Sequence, residues 1–292
     1  MTAAQIKTDK EGKGHDVRRA GPPQASTVPP GGSELHAVSE CGGEIHRAGP
    51  PQASTAPPGG SVLHEVKSVG ARIRLALFDL DHTLIPMDSD FEWGEFTIAL
   101  GWCDATEFKR RNAEFFAQYR AGTLDTHDYV RFATQAIREQ GSANSTAAHA
   151  RFMGEIIEKG IKSQALELVE GHRAAGDTLV IVTATNEFVT RPIADLFGVS
   201  ELIAVELARD ARGELTGEIS GTPSAREGKV IRMEQWLAAR SLAWCDVHTT
   251  FYTDSMNDLA LLEKVTEPVA TNPEPRLRAL ASERGWRILD LF

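Results

Sequence analysis

The first seventy residues of this 292-residue chain contain no phenylalanine, tryptophan or tyrosine; the first aromatic side chain is Phe78. A segment without large apolar side chains cannot offset the entropy lost on ordering. No apolar run approaches the roughly 20 residues that span a bilayer. The first thirty residues carry no apolar stretch of the secretory type, so the chain reads as cytoplasmic, with no membrane partner. Cysteine is scarce: Cys41, Cys103 and Cys245 make an odd number with no CxxC pair. They read as reduced, buried thiols in a reducing compartment. Basic charge is short too, with 31 Lys and Arg against 41 Asp and Glu and a net charge of −10. That balance argues against a nucleic-acid partner, which selects for cationic surfaces. It permits a small phosphorylated ligand held by one or two local cations and a metal.

The aromatic-free segment is internally duplicated. Arg19–Thr27 (RAGPPQAST) recurs as Arg47–Thr55 and Pro29–Ser33 (PPGGS) as Pro57–Ser61, a period of 28 residues. Solenoid repeats stack through an apolar stripe; here only Val28, Leu35 and Val38 serve, and Val28 becomes Ala56 in the second copy. Residues 1–72 therefore read as a disordered, low-complexity tail. A start codon assigned too far upstream gives the same pattern. Pro-Pro steps suit a partner's aromatic groove, but no PxxP-plus-basic pattern accompanies them.

From about Ile73 the pattern changes. Leu75-Ala76-Leu77-Phe78 is a short apolar run ending in Asp79, the signature of a buried parallel strand. Thr178–Val182, Leu202–Val205, Thr249–Tyr252 and Val269–Ala270 read the same way. Arg191–Phe197, Val230–Ala239 and Leu259–Lys264 have helical spacing. Alternating β and α elements predict an α/β fold, a doubly wound parallel sheet over residues 73–292. Glu206–Ser220 reads as a hairpin insert, and Glu107–Tyr119, Thr126–Glu139 and Ala147–Glu158 as helices. Those last three exceed what one crossover helix needs and predict a helical cap inserted at about 88–165.

Four motifs fall at strand ends or in loops facing the same edge, where open α/β sheets hold ligands. Asp79-Leu80-Asp81-His82-Thr83 brings two carboxylates close enough to want a cation, and an oxygen-only set suits Mg²⁺. By itself the pair is an ordinary turn opening. Thr183, directly after Leu179–Val182, offers a hydroxyl for a phosphate oxygen or a helix N-cap, a role Asn186 also suits. Lys229, after Glu227-Gly228, is a compact ammonium for a phosphoryl group, or a surface lysine. Asp254-Ser255-Met256-Asn257-Asp258 puts two acids four apart at a strand-to-helix turn, able to share a metal, or to cap. Nucleophile, acid, metal ligand, hydroxyl and cation together make a phosphoryl-transfer set.

In their order the motifs resemble the haloacid-dehalogenase-like superfamily of hydrolases. They are closest to its branch (subfamily IB) with a helical cap between motifs one and two, which includes phosphoserine phosphatase. The resemblance covers about Ile73–Phe292. It implies a Rossmann-like core and a Mg²⁺-dependent phosphomonoesterase acting on a small phosphorylated metabolite. Asp79 would be the nucleophile that becomes an aspartyl-phosphate. Asp81 would be the general acid, then the base. Asp79, the Asp81 backbone carbonyl and Asp254 would hold the metal, with Asp258 near its water or the lysine. Thr183, Lys229 and Asn257 would hold the phosphoryl oxygens. One departure stands out: the branch often has glycine before the acid of motif four, and this chain has Thr253, whose side chain narrows the turn and leaves the acids in place.

Nine residues after Asp79 lies Asp88, in Met87-Asp88-Ser89-Asp90-Phe91-Glu92-Trp93-Gly94-Glu95. Acids interleaved with aromatics suit a cationic ligand; acids also favour a helix start. The resemblance implies substrate contacts at Asp88 and Trp93. It points to histidinol phosphate, with phosphoserine as the alternative substrate, for which a cap arginine (Arg110, Arg111, Arg120 or Arg131) would hold the carboxylate. A phosphomutase shares the nucleophile and cap and is the competing class. Oligomeric state leaves no trace in the sequence. Because the first segment brings no aromatic surface to bury, deleting residues 1–70 is expected to leave the melting temperature within a few degrees of the full chain, measured by thermal denaturation.

Overall fold

Strand β1 (Ile73–Phe78) explains the continuous apolar run. Successive side chains point to opposite faces. Ala76 and Phe78 join one hydrophobic cluster, Leu75 and Leu77 another. A strand covered on both faces has no solvent side to make polar. Each fully buried Leu or Phe here contributes about 1.5–3 kcal/mol. The computed structural model describes residues 72–292; the predicted N-terminal tail lies outside the described residues.

After β1 the chain is helical for almost a hundred residues: α1 (Ser89–Ala99), α2 (Ala105–Ala121), α3 (Thr126–Ala133) and α4 (Gln135–Phe152). A π-helical turn (Met153–Ile157), a further turn α5 (Glu158–Gly160) and α6 (Ser163–Ala174) complete the run. Then come β2 (Thr178–Asn186), α7 (Glu187–Leu196), β3 (Glu201–Val205) and an antiparallel hairpin of β4 (Leu207–Arg209) and β5 (Leu215–Ile219). The chain closes with α8 (Glu227–Ala238), β6 (Val247–Thr253), α9 (Leu259–Leu262), β7 (Glu267–Thr271), α10 (Pro275–Arg284) and β8 (Arg287–Leu289).

The main sheet has six strands in the order β3-β2-β1-β6-β7-β8, and every neighbouring pair is parallel. One face is covered by Trp93 and Phe96 of α1, Phe152 of α4, Val169 of α6 and Ile193 of α7. The other is covered by Met233 and Leu237 of α8, Leu261 of α9 and Leu277 of α10. The result is the predicted doubly wound α/β sandwich. The chain winds outward from β1 through β2 to β3, then returns to β6 on β1's other side and winds out to β8. The reversal sits beside β1, the place where open α/β sheets hold ligands outside the carboxyl ends of their strands.

Sequence and structure differ in several places. The single helix predicted over Thr126–Glu139 is two: α3 and α4 part at Thr134, whose hydroxyl donates to the Val130 carbonyl at 2.6 Å. A side chain that bonds the backbone in this way bends or ends a helix. Helix α4 then kinks at Gly141, at φ 76°, ψ 164°. The helix predicted over Leu259–Lys264 shrinks to the single turn of α9. Helices α6 and α10 and strand β8 were not predicted, although Pro275 at the first turn and Gly285 in the left-handed region bracket α10 as end signals do; α1 is the helix start that the acids of Asp88–Glu95 offered as one reading. Cys103 is half-buried and Cys245 exposed, which corrects the expectation of buried thiols. Among the described residues no helix is long and apolar enough to cross a membrane.

Candidate active site

Three adjacent strands deliver the motifs. Asp79 directly follows β1, and its N–H donates to the Tyr252 carbonyl of β6 at 2.9 Å. Strand β2 carries Thr183, and Asp254 directly follows the last residue of β6, Thr253. After Asp79 the chain turns: His82 adopts φ 55°, and the amides of Thr83, Leu84 and Ile85 all donate to the Leu80 carbonyl at 2.8–3.2 Å. That tight turn points Thr83 at motif four. Its hydroxyl accepts from the Asp254 N–H at 3.1 Å and lies 3.4 Å from the Asp254 carboxylate.

Lys229 is at the centre. It is only 2% exposed, and its Nζ donates to Asp79 at 2.9 Å and to Asp258 at 2.7 Å. Burial works against its charge, but Asp258 and Asp79 outweigh that and raise its pKa. The turn that presents it is tight: a Cβ on Gly228 would meet the Pro223 carbonyl oxygen at 2.0 Å. Asp258 receives a second bond, from the Thr253 hydroxyl at 2.7 Å. The threonine at the usual glycine position therefore braces the second acid of its own motif.

Asp81 faces the other way. Its two carboxylate oxygens accept from the Ser89 N–H at 2.7 Å and the Thr185 hydroxyl at 2.8 Å. Burial, then the charge of Asp88, push it up to about 6 against those bonds. Burial pushes Asp79 up to about 7, with Asp258 and Asp81 adding to it and Lys229 opposing. Asp254 rises to about 8 through burial and the charges of Asp79 and Asp258. The carboxylates outnumber the one lysine bonded to them, and negative charge is left over.

Among the described residues no three His, Cys, Asp or Glu side chains form a metal-holding group. The donor set expected from the motifs is two carboxylates, Asp79 and Asp254, with a backbone oxygen. Mg²⁺ takes one or two carboxylates and keeps several waters, so these residues fit that ion and their surplus charge favours it.

The other predicted residues divide. Thr183 is buried within β2 and caps no helix; Asn186 caps α7. The Thr183 hydroxyl accepts from the Thr185 N–H at 3.1 Å, and its carbonyl accepts from Ser224 at 2.7 Å. Asn257 lies half-buried with its side-chain oxygen 3.5 Å from Arg226. Asp88 is the N-cap of α1, accepting from the amides of Asp90 and Phe91 at 3.1 and 2.9 Å. Trp93, expected at the substrate, is instead 2% exposed and packs among Phe96, Trp102, His149, Phe152 and Phe188. A helix places residues three and four apart on one face, and Trp93 lies on the face that Asp90, Phe96 and Thr97 also turn into the core.

Sequence reasoning missed Thr185, Ser224, Arg226 and Tyr119, which stand at the site. Thr185 alone carried a signal, since strand alternation puts it on the face of Thr183. Asp90 was counted only as one acid of a cluster. It is buried, accepts from Asn186 at 3.1 Å and from Tyr129, and burial with the charge of Asp88 pushes it to about 7.

Known proteins are similar to this chain. The family model for haloacid dehalogenase-like hydrolases matches residues 76–263. "Histidinol-phosphatase" of Neisseria meningitidis serogroup C (strain 8013) is 40% identical over 217 residues, 74% of this chain and 98% of that protein. "Phosphoserine phosphatase SerB1" of Mycobacterium tuberculosis is 31% identical over 222 residues, covering 74% and 70%. The crystal structure of a protein of unknown function from Bordetella pertussis Tohama I superposes with a TM-score of 0.72 at 46% identity, covering 76% of this chain and all of that one. The chain belongs to the haloacid dehalogenase-like hydrolases. Within them it is a phosphatase, a phosphoric monoester hydrolase.

The Lys229 cluster makes a prediction about stability. A carboxylate whose folded pKa lies above its unfolded value destabilises the fold as pH rises from about 4 through the folded pKa. Asp79 is such a group, and removing Lys229 raises it further. Lys229→Met is expected to cost about 3–5 kcal/mol at pH 8 and distinctly less at pH 5, where Asp79 takes up a proton. Urea denaturation at both pH values without divalent metal measures the difference.

Proposed function

We propose that this phosphatase hydrolyses histidinol phosphate through an aspartyl-phosphate on Asp79, with Mg²⁺ as cofactor. The observation that carries the reading is Lys229 bridging Asp79 and Asp258 beside an Asp81 held on separate bonds. One carboxylate is charge-clamped for attack and its neighbour is poised for proton transfer. Asp79 forms a bond to phosphorus as the ester oxygen leaves with the proton of Asp81. Water then attacks the aspartyl-phosphate, Asp81 takes the proton back, and inorganic phosphate departs. A pKa of about 6 suits both duties near neutrality. Lys229, Thr183 and Asn257 are assigned to the phosphoryl oxygens. Mg²⁺, held by Asp79, Asp254 and the Asp81 backbone carbonyl, would supply charge neutralisation for the phosphoryl oxygens. Helices α2 and α3 are the part of the insert at 88–165 we assign as cap: no α2 residue is buried, and α2 packs on α3 through Phe108, Phe115 and Phe132.

Two observations favour histidinol phosphate over phosphoserine. The first is the 40% identity to a protein named for that activity, over nearly its whole length. The second is the state of the cap arginines. Arg110 is paired with Glu107 and Glu114, and Arg131 with Glu218 and Asp128. Arg111 and Arg120 lie over the rings of Phe132 and Phe116. Each has a partner other than a substrate carboxylate. Asp88 and Asp90 put negative charge beside Asp81, which suits an ammonium.

Asp79→Asn is expected to reduce turnover of any phosphate ester below about 1% of the parent with the fold intact, since losing a nucleophile costs orders of magnitude. Activity above that level, measured by phosphate release with Mg²⁺, removes Asp79 from the role. In a side-by-side assay, histidinol phosphate is expected to give the higher kcat/KM. Asp88→Asn should lower that value about tenfold or more, the loss of one charged contact. Preference for phosphoserine, or an unchanged Asp88→Asn enzyme, overturns the substrate assignment.

A further inference from the structure

We propose that Arg226 is a positioning residue that ties the carboxyl end of helix α2 to motif four, and so sets the docked position of the cap over Asp79. Its Nη1 donates to the Gly122 carbonyl at 2.8 Å, and its Nη2 lies 3.5 Å from the Asn257 side-chain oxygen. Gly122 is the left-handed cap that ends α2, at φ 78°. Helix carbonyls at that end lack intrahelical partners and attract cations. The fit is close, because a Cβ on Gly122 would meet the guanidinium at 3.1 Å.

A second contact runs parallel to the first. Tyr119, in the last turn of α2, brings its hydroxyl 3.4 Å from Ser255 and hydrogen-bonds Asn257. The Ser255 hydroxyl in turn accepts the Asn257 N–H at 3.2 Å. Helix α2 otherwise buries no residue, so these two polar bridges are its anchorage at this end.

Arg226 holds this position in a strained backbone. It sits at φ 55°, ψ −124°, immediately before α8 and without a side-chain cap bond. Glycine takes such a conformation freely, and other residues at a cost. The Arg226 carbonyl accepts the Lys229 N–H at 3.0 Å. The residue that grips the cap is thus hydrogen-bonded to the backbone of the lysine that grips Asp79. Docking of α2 and placement of the lysine share one turn of chain.

The proposal rests on the Asp79 crevice being the seat of chemistry, and one arm of its test does not. The full chain, Arg226→Gly and Arg226→Lys are compared by thermal denaturation, by hydrogen exchange of residues 105–122, and by turnover of a generic aryl phosphate with Mg²⁺. Arg226→Gly removes the backbone strain together with the bridge. It is expected to melt at or above the parent temperature, to exchange faster in α2, and to lose about ten- to a hundredfold in kcat/KM. The loss falls mainly on kcat if substrate binds before the cap docks, and Arg226→Lys recovers part of it through a single bond to Gly122. Unchanged exchange in α2 overturns the proposal whatever the activity. If kcat/KM falls while exchange is unchanged, the guanidinium acts on the substrate itself. A melting temperature several degrees below the parent makes Arg226 a structural residue and also overturns it. If no variant and no parent turns over an aryl phosphate, the catalytic reading fails, and the exchange arm still decides whether Arg226 anchors α2.

Discussion

The structure depends on one buried cation. Lys229 has almost no contact with water, and its ammonium is shared between Asp79 and Asp258. Taking such a group out of water costs several kcal/mol before its partners return anything. A hydrophobic core would be more stable without it. What it provides is a fixed direction: the carboxylate at the end of β1 is turned towards the start of α8, and motif four folds around the remaining bond to Asp258. Asp79, Asp254, Asp258 and Asp81 lie close together, and burial first, then neighbouring charge, raises three of them: Asp258 and Asp81 act on Asp79, Asp79 and Asp258 on Asp254, and Asp88 on Asp81. Without the lysine that crowd would have no internal counterweight.

The sheet makes this concentration of charge possible. In a parallel arrangement, neighbouring strands end at the same edge, so β2, β1 and β6 deliver Thr183, Asp79 and Asp254 side by side from positions far apart in sequence. The reversal of winding between β1 and β6 parts the loops above and leaves the crevice open. Of the inserted helices, α2 reaches this edge through Tyr119 and Gly122. Two of them, α1 and α4, are bolted to the core through Trp93, Phe96 and Phe152, whereas α2 packs on α3 through Phe108, Phe115 and Phe132 and reaches motif four only through polar contacts.

The sheet and the chemical centre were legible in the sequence because both have short-range signatures. A run such as Leu75–Phe78 followed by Asp79 is an apolar strand with a polar end; β8 has only Ile288-Leu289 before Asp290 and went unread. Helix boundaries were harder. Thr134 ends α3 through a bond to its own backbone, and nothing in its neighbours marks it among the other threonines. Trp93 was expected at the ligand because acids and aromatics close in sequence suggest one binding surface, whereas α1 turns Trp93 into the aromatic core with Asp90 buried on the same face and leaves Phe91 exposed. Thr185, Arg226 and Tyr119 went unseen because their partners lie on other elements. Those contacts depend on how the inserted helices settle on the sheet, which no local pattern records.

Thr253 has a consequence of its own. A glycine at that point would leave Asp258 with the lysine as its only donor among the bonds described here; the threonine hydroxyl gives it a second. Motif four is therefore braced by covalently attached groups, and its shape does not wait on an ion. If Mg²⁺ serves as proposed, losing the ion would idle the catalyst while leaving the Thr253–Asp258–Lys229 bonds, and with them the folded shape of motif four, in place.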